Sequence, residues 1–161
     1  MKKLTKDEFL GLLYRIGFFK QFSPEEKYKV GDCQSFTESF LEGDYIIREG
    51  DEADAFYIML KGKAFVTKNS LPRLKLAELK PGSVFGEISV LAQRPRTTNI
   101  IAATDTLVLR LNAELEQILG PELGCKIKDQ LVKILILKLD RMNDTLMKLK
   151  KRVPEDEWPF F

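Results

Sequence analysis

Apolar positions along this chain keep a helical period at both ends and lose it in the middle. In the first 20 residues Phe9, Leu12, Leu13 and Ile16 recur at helical intervals, and Thr5 and Glu8 have capping-box spacing, which predicts an amphipathic helix. Ser23-Pro24-Glu25-Glu26 marks a second start: an N-cap serine, proline at the first helical position and acids facing the dipole. Gly31-Asp32 makes that helix short.

From residue 35 to 111 short runs rich in Phe, Tyr, Ile and Val alternate with turns at Gly43-Asp44, Gly50-Asp51, Lys61-Gly62, Ser70-Leu71-Pro72 and Pro81-Gly82. Such spacing predicts an antiparallel sandwich or barrel. Its clearest strands are Tyr45-Ile46-Ile47-Arg48, 56–60 and Ala64-Phe65-Val66-Thr67, and 98–102 and 106–111 follow after a break in the run. Beyond Asn112 the chain turns helical again. Residues 113–119 form a short helix stopped by Gly120-Pro121, and a long one follows from about Glu122. The fold class is α+β: an antiparallel, jelly-roll-like β-roll with N-terminal helices, one short inserted helix and a long C-terminal helix. We expect a single domain over residues 1–161: helices in 1–34, the roll in 35–111, C-terminal helices in 113–152 and a tail in 153–161.

Composition narrows the chemistry. The 161 residues include 26 Lys+Arg, 24 Asp+Glu, 2 Cys and no His. Without histidine there is no Ser-His-Asp or Cys-His pair and no imidazole-ligated metal. Cys33 and Cys125 are too few for a four-thiolate site and read as reduced thiols. No apolar run approaches the roughly 18 residues of a membrane helix, and the N-terminus lacks a signal-peptide pattern. A cytoplasmic protein is expected, and a net charge of +2 gives no global attraction to nucleic acid.

One segment interrupts the strands: Phe85-Gly86-Glu87-Ile88-Ser89-Val90-Leu91-Ala92-Gln93-Arg94-Pro95-Arg96-Thr97-Thr98. A glycine opens one helical turn, and an arginine returns nine residues after the glutamate. Amides at a short helix start, with a guanidinium brought back to the same spot, form a cradle for a monoanion. No GxxxxGK[ST] loop is present for a triphosphate. A carboxylate beside that anion is explained if it accepts from hydroxyls such as a ribose 2′-OH, so a 3′,5′-cyclic nucleotide suits the set. The plainer alternative is a solvated turn in which Glu87 and Arg96 pair with each other.

This segment resembles the phosphate-binding cassette, here residues 85–98, of the cyclic nucleotide-binding domain family, which includes catabolite activator proteins and the regulatory subunits of cyclic-nucleotide-dependent kinases. Glu49-Gly50-Asp51-Glu52-Ala53-Asp54-Ala55-Phe56-Tyr57-Ile58 resembles the family's upstream paired-strand turn, and Pro81-Gly82-Ser83-Val84 extends the likeness into the cassette. The resemblance implies that Glu87 and the Gly86 amide hold the ribose 2′-OH. It implies that Arg96, with the amides of Ser89 and Thr97, holds the cyclic phosphate of cAMP or cGMP. Ile58, Val84 and Ile88 are candidates for apolar contacts. Thr97 after the arginine can bond a syn purine, and Thr98-Asn99 departs from the small residues usual there. The ligand is the only small molecule implied; no metal or cofactor is expected.

Val132, Leu135, Leu139, Met142, Leu146 and Leu149 are spaced 3, 4, 3, 4 and 3, a heptad seam suited to a homodimer. Ile127, Leu131 and Ile134 form a second stripe that could cover the roll. Lys138 and Arg141 are polar candidates to cap the purine, as is Trp158 in the acidic, aromatic tail. The expected function is a non-enzymatic cyclic nucleotide receptor whose C-terminal helix moves on binding and signals to a protein effector. The alternatives are a degenerate fold kept as an interaction module and a fragment of a DNA-binding regulator. No DNA-binding domain is read within these residues.

Overall fold

Two reciprocal caps start the first helices. In the computed structural model, which describes residues 4–151, α1 runs Lys6–Arg15 and α2 runs Pro24–Gly31. The Thr5 hydroxyl accepts from the Glu8 amide while the Glu8 carboxylate accepts from the Thr5 amide, and Ser23 and Glu26 repeat the exchange ahead of α2. Each box satisfies donors that a helix start leaves without a partner. Helix α1 is shorter than the periodicity predicts. The backbone turns extended at Ile16, and Gly17–Phe19 form a 3-10 turn. Neighbouring residues on an α-helix point 100° apart, whereas here Phe18, Phe19 and Phe22 gather into one buried cluster with centroids 5.0, 5.3 and 6.2 Å apart.

The middle of the chain forms strands β1 Thr37–Phe40, β2 Tyr45–Ile47, β3 Ala55–Lys61, β4 Ala64–Thr67, β5 Ala77–Leu79, β6 Val84–Phe85, β7 Asn99–Ala102 and β8 Thr106–Asn112. They make two four-stranded antiparallel sheets, ordered β1-β8-β3-β6 and β2-β7-β4-β5. This is the β-roll expected from the alternation. Its interior is shared by Ala55, Tyr57, Met59, Phe85 and Val108 from the first sheet and Ile46, Ile47, Ala64, Ile100 and Ala102 from the second. Because side chains alternate along a strand, Phe56, Ile58 and Leu60 occupy the other face of β3. That face is buried too, which is why β3 reads as an unbroken apolar run.

Helix α3, Glu87–Leu91, lies between β6 and β7. After β8 the chain enters α4, Ala113–Lys150, capped where the Asn112 side chain accepts from the Leu115 amide at 3.0 Å. Gly120 is non-helical (φ 80°, ψ 171°) ahead of Pro121, so the expected stop separates two helical segments within α4. Main-chain packing groups the chain into two units, one ending at Gly124 and the other beginning at Cys125. In the second unit Ile127 and Leu131 are buried, Leu135 is half-buried, and Val132, Leu139, Met142, Leu146 and Leu149 are exposed. No helix among the described residues is long and apolar enough to cross a membrane.

Candidate functional site

Gly86 opens α3 from the left-handed region, at φ 77° and ψ −2°. A side chain there is strained, and space forbids one as well: a Cβ would lie 2.9 Å from both Arg96 Nη1 and Ile47 Cδ1. Helix α3 lasts five residues and buries Glu87 and Ser89 while Ile88 stays 47% exposed. The Arg94 amide donates to the Ser89 carbonyl at 3.0 Å, and Gln93 takes a positive φ of 48°. These turns bring the chain back so that Arg96 meets the residue that opened the helix.

Arg96 is clamped at both ends. Its amide donates to the Asp51 carbonyl and its carbonyl accepts from the Gly50 amide, both at 2.8 Å, so the turn before β3 grips it as a strand would. The guanidinium is folded inward and only 6% of the residue is exposed. Nη1 donates to the Gly86 carbonyl at 2.7 Å and Nη2 to the Ala55 carbonyl at 2.5 Å. Its Cζ lies 5.9 Å from the centroid of the Tyr57 ring, which stacks on Phe85 at 5.5 Å and 17°. Burial pushes the guanidinium below its usual range, against the pull of Tyr57, Asp54 and Asp51. Among the described residues no carboxylate ion-pairs with it. A guanidinium carries five N–H donors. This one is a buried cation oriented by neutral carbonyls, an arrangement able to receive an anion by charge-assisted hydrogen bonds.

The model of the cyclic nucleotide-binding domain matches residues 37–119, half of the chain. The chain belongs to the cyclic nucleotide-binding domain family. A cAMP-dependent protein kinase regulatory subunit of Aspergillus niger is 33% identical over 110 residues, 68% of this chain and 26% of that protein. The cGMP-dependent protein kinase 2 of Mus musculus is 35% identical over 100 residues, 60% of this chain and 13% of that protein. The chain thus spans about a quarter or less of these curated relatives. Among solved structures, the regulatory domain of Toxoplasma gondii PKA with cAMP superposes with a TM-score of 0.66 at 27% identity, over 81% of this chain and 49% of that one.

Within this cyclic nucleotide-binding domain the structure brings Gly86, Glu87, Ser89 and Arg96 together on and around α3, the first three in one turn and the arginine folded back on Gly86. Thr97 follows directly and is exposed. Glu87 and Arg96 do not pair with each other, so the plainer reading of this turn is set aside. Ile58 and Val84 are the two strand candidates for apolar ligand contacts. They form a cross-strand pair between β3 and β6, 0% and 3% exposed, on the sheet face opposite Tyr57 and Phe85. On the roll's inner face the Tyr57 ring faces the guanidinium, with Phe85 stacked on it. Strand alternation carries the signal for them, since Tyr57 shares its parity with Ala55 and Met59. The role of the Ala55 and Asp51 carbonyls has no side-chain signature and was not legible. Lys138 is half-buried and Arg141 exposed, both in the unit that begins at Cys125, and Trp158 lies outside the described residues.

Proposed function

We propose that this domain is a receptor for a 3′,5′-cyclic purine nucleotide, cAMP ahead of cGMP, with no catalysis of its own. One observation carries the reading: Arg96 is buried, oriented by two carbonyls, and has no carboxylate ion-paired to it among the described residues. Desolvating a guanidinium is costly, and the cyclic phosphate is the anion that offsets the cost. Arg96 and the amides of Ser89 and Thr97 hold that phosphate; the Glu87 carboxylate and the Gly86 amide take the ribose 2′-OH. Ile88, exposed on the cassette, offers apolar contact to the ligand, and Lys138, Arg141 or Trp158 caps the purine. Relatives named as cAMP- and cGMP-dependent kinase proteins support both nucleotides as candidates.

Binding re-poses the C-terminal helix, a population shift that requires differential affinity for two poses, and a protein effector in the cytoplasm reads it. The exposed seam of Val132, Leu139, Met142, Leu146 and Leu149, with Leu135, joins two copies of the chain. The deciding experiment is calorimetric titration of cAMP and cGMP into protein stripped of bound ligand by unfolding and refolding. Dissociation constants of about 1 μM or below are expected, weakened by at least about 100-fold in Arg96→Ala. No heat with either nucleotide, from protein shown to be folded, overturns the reading in favour of an interaction module.

A further inference from the structure

Arg96 depends on supports it does not itself fix. Nη2 leans on the Ala55 carbonyl, and the Tyr57 ring faces the guanidinium. Both supports lie at the start of β3, and one residue far outside the cassette holds both. Arg110, on β8, stands directly opposite Tyr57 in the β3–β8 ladder. Its Nη2 bonds the carboxylate of Asp54, the residue before Ala55, and its Nε lies 3.5 Å from Glu38 on β1. Arg110 therefore fastens β1, β8 and the entry to β3 at one point.

Magnitude decides what this fastening is for. The Asp54 side chain is 69% exposed and that of Glu38 40%, and ion pairs to exposed carboxylates contribute little stability. A second arginine near Arg96 also carries a cost: Arg110 opposes the Arg96 charge, a smaller effect than burial. Two carboxylates offset that cost and fix where Arg110 lies. What the cluster contributes is orientation. Tyr57 meets both ends of the cassette, stacking on Phe85 ahead of Gly86 and facing Arg96 beyond it.

We propose that Arg110 is a positioning residue of the anion site, holding Asp54 and Tyr57, and through them Arg96, without touching the nucleotide. Its functional meaning rests on the nucleotide-binding reading above. Two readouts of Arg110→Met separate the two ideas. The first is the Arg96 Nε–Hε NMR resonance in nucleotide-free protein, assigned by its loss in Arg96→Lys; it is expected to shift. The second is affinity for cAMP and cGMP, expected to fall by about tenfold for both, with most of the loss recovered in Arg110→Lys. An unmoved resonance with unchanged affinity overturns the proposal, as does a fall in thermal midpoint with no shift. If wild-type protein binds neither nucleotide the receptor reading fails, and the resonance still decides whether Arg110 positions Arg96. Should Arg110→Met not fold, Asp54→Asn breaks the same pair from its exposed side. The same shift supports the proposal, and no shift overturns it.

Discussion

Gly86 and Arg96 approach so closely that only a hydrogen fits between the glycine α-carbon and the guanidinium. The Gly86 carbonyl accepts from Nη1 at 2.7 Å, and a methyl in place of the pro-chiral hydrogen would sit 2.9 Å from that same nitrogen. The left-handed backbone adds strain to any substitution. Gly86→Ala is therefore expected to lower stability by about 1–3 kcal/mol and to weaken cyclic nucleotide binding together with it. Urea unfolding and calorimetry on one preparation test both. Wild-type affinity in a folded Gly86→Ala protein would mean that binding does not use the guanidinium in this position.

The two cysteines should differ sharply in reactivity. Cys33 is 1% exposed and burial pushes its thiol up to about 11, while Cys125 lies exposed on α4. Only the thiolate is nucleophilic, so at pH 8 about one Cys33 in a thousand is reactive. Iodoacetamide at that pH is expected to add one group to native protein, at Cys125, and two after denaturation. Peptide mass spectrometry reads the sites, and rapid native labelling of Cys33 would show that α2 opens readily.

The apolar seam predicts a mass. Leu139 and Met142 are 60% and 61% exposed, and burying such a side chain contributes about 1.5–3 kcal/mol. Light scattering is expected to give twice the chain mass for wild-type protein and the single chain mass for Leu139→Glu/Met142→Glu. A wild-type monomer at concentrations of about 100 μM would remove the dimer from the proposed function.

The elements legible in the sequence are those whose side chains do two things at once. β4 matches the predicted strand residue for residue, β7 and β8 differ by one residue at one end and β3 by one at each end, because β-branched and aromatic residues fill both pleat positions and turns flank them. β1, β5 and β6 carried little signal. Thr37–Phe40 is mostly polar, Ala77–Leu79 is an exposed edge and Val84–Phe85 has only two residues, so their pairing is set by neighbours rather than by pattern. The cassette side chains were legible as types at a spacing. Which face Ile58 presents was not, since a strand buried on both sides shows no alternation to read. The carbonyls of Asp51 and Ala55 belong to the backbone, and only the folded register places them against Arg96.

The clasp between Arg96 and residues 50 and 51 joins positions about 45 apart in the sequence. An excised peptide covering residues 85–98 would keep the glycine, the glutamate and the arginine but lose the turn that grips the arginine and the wall it leans on. Closing so long a loop draws on the cooperative assembly of both sheets. The site is consequently a property of the finished roll. Any ligand it holds must protect the roll as a whole against unfolding, and a mutation that loosens the distant interior will be felt as lost affinity before the cassette itself is altered.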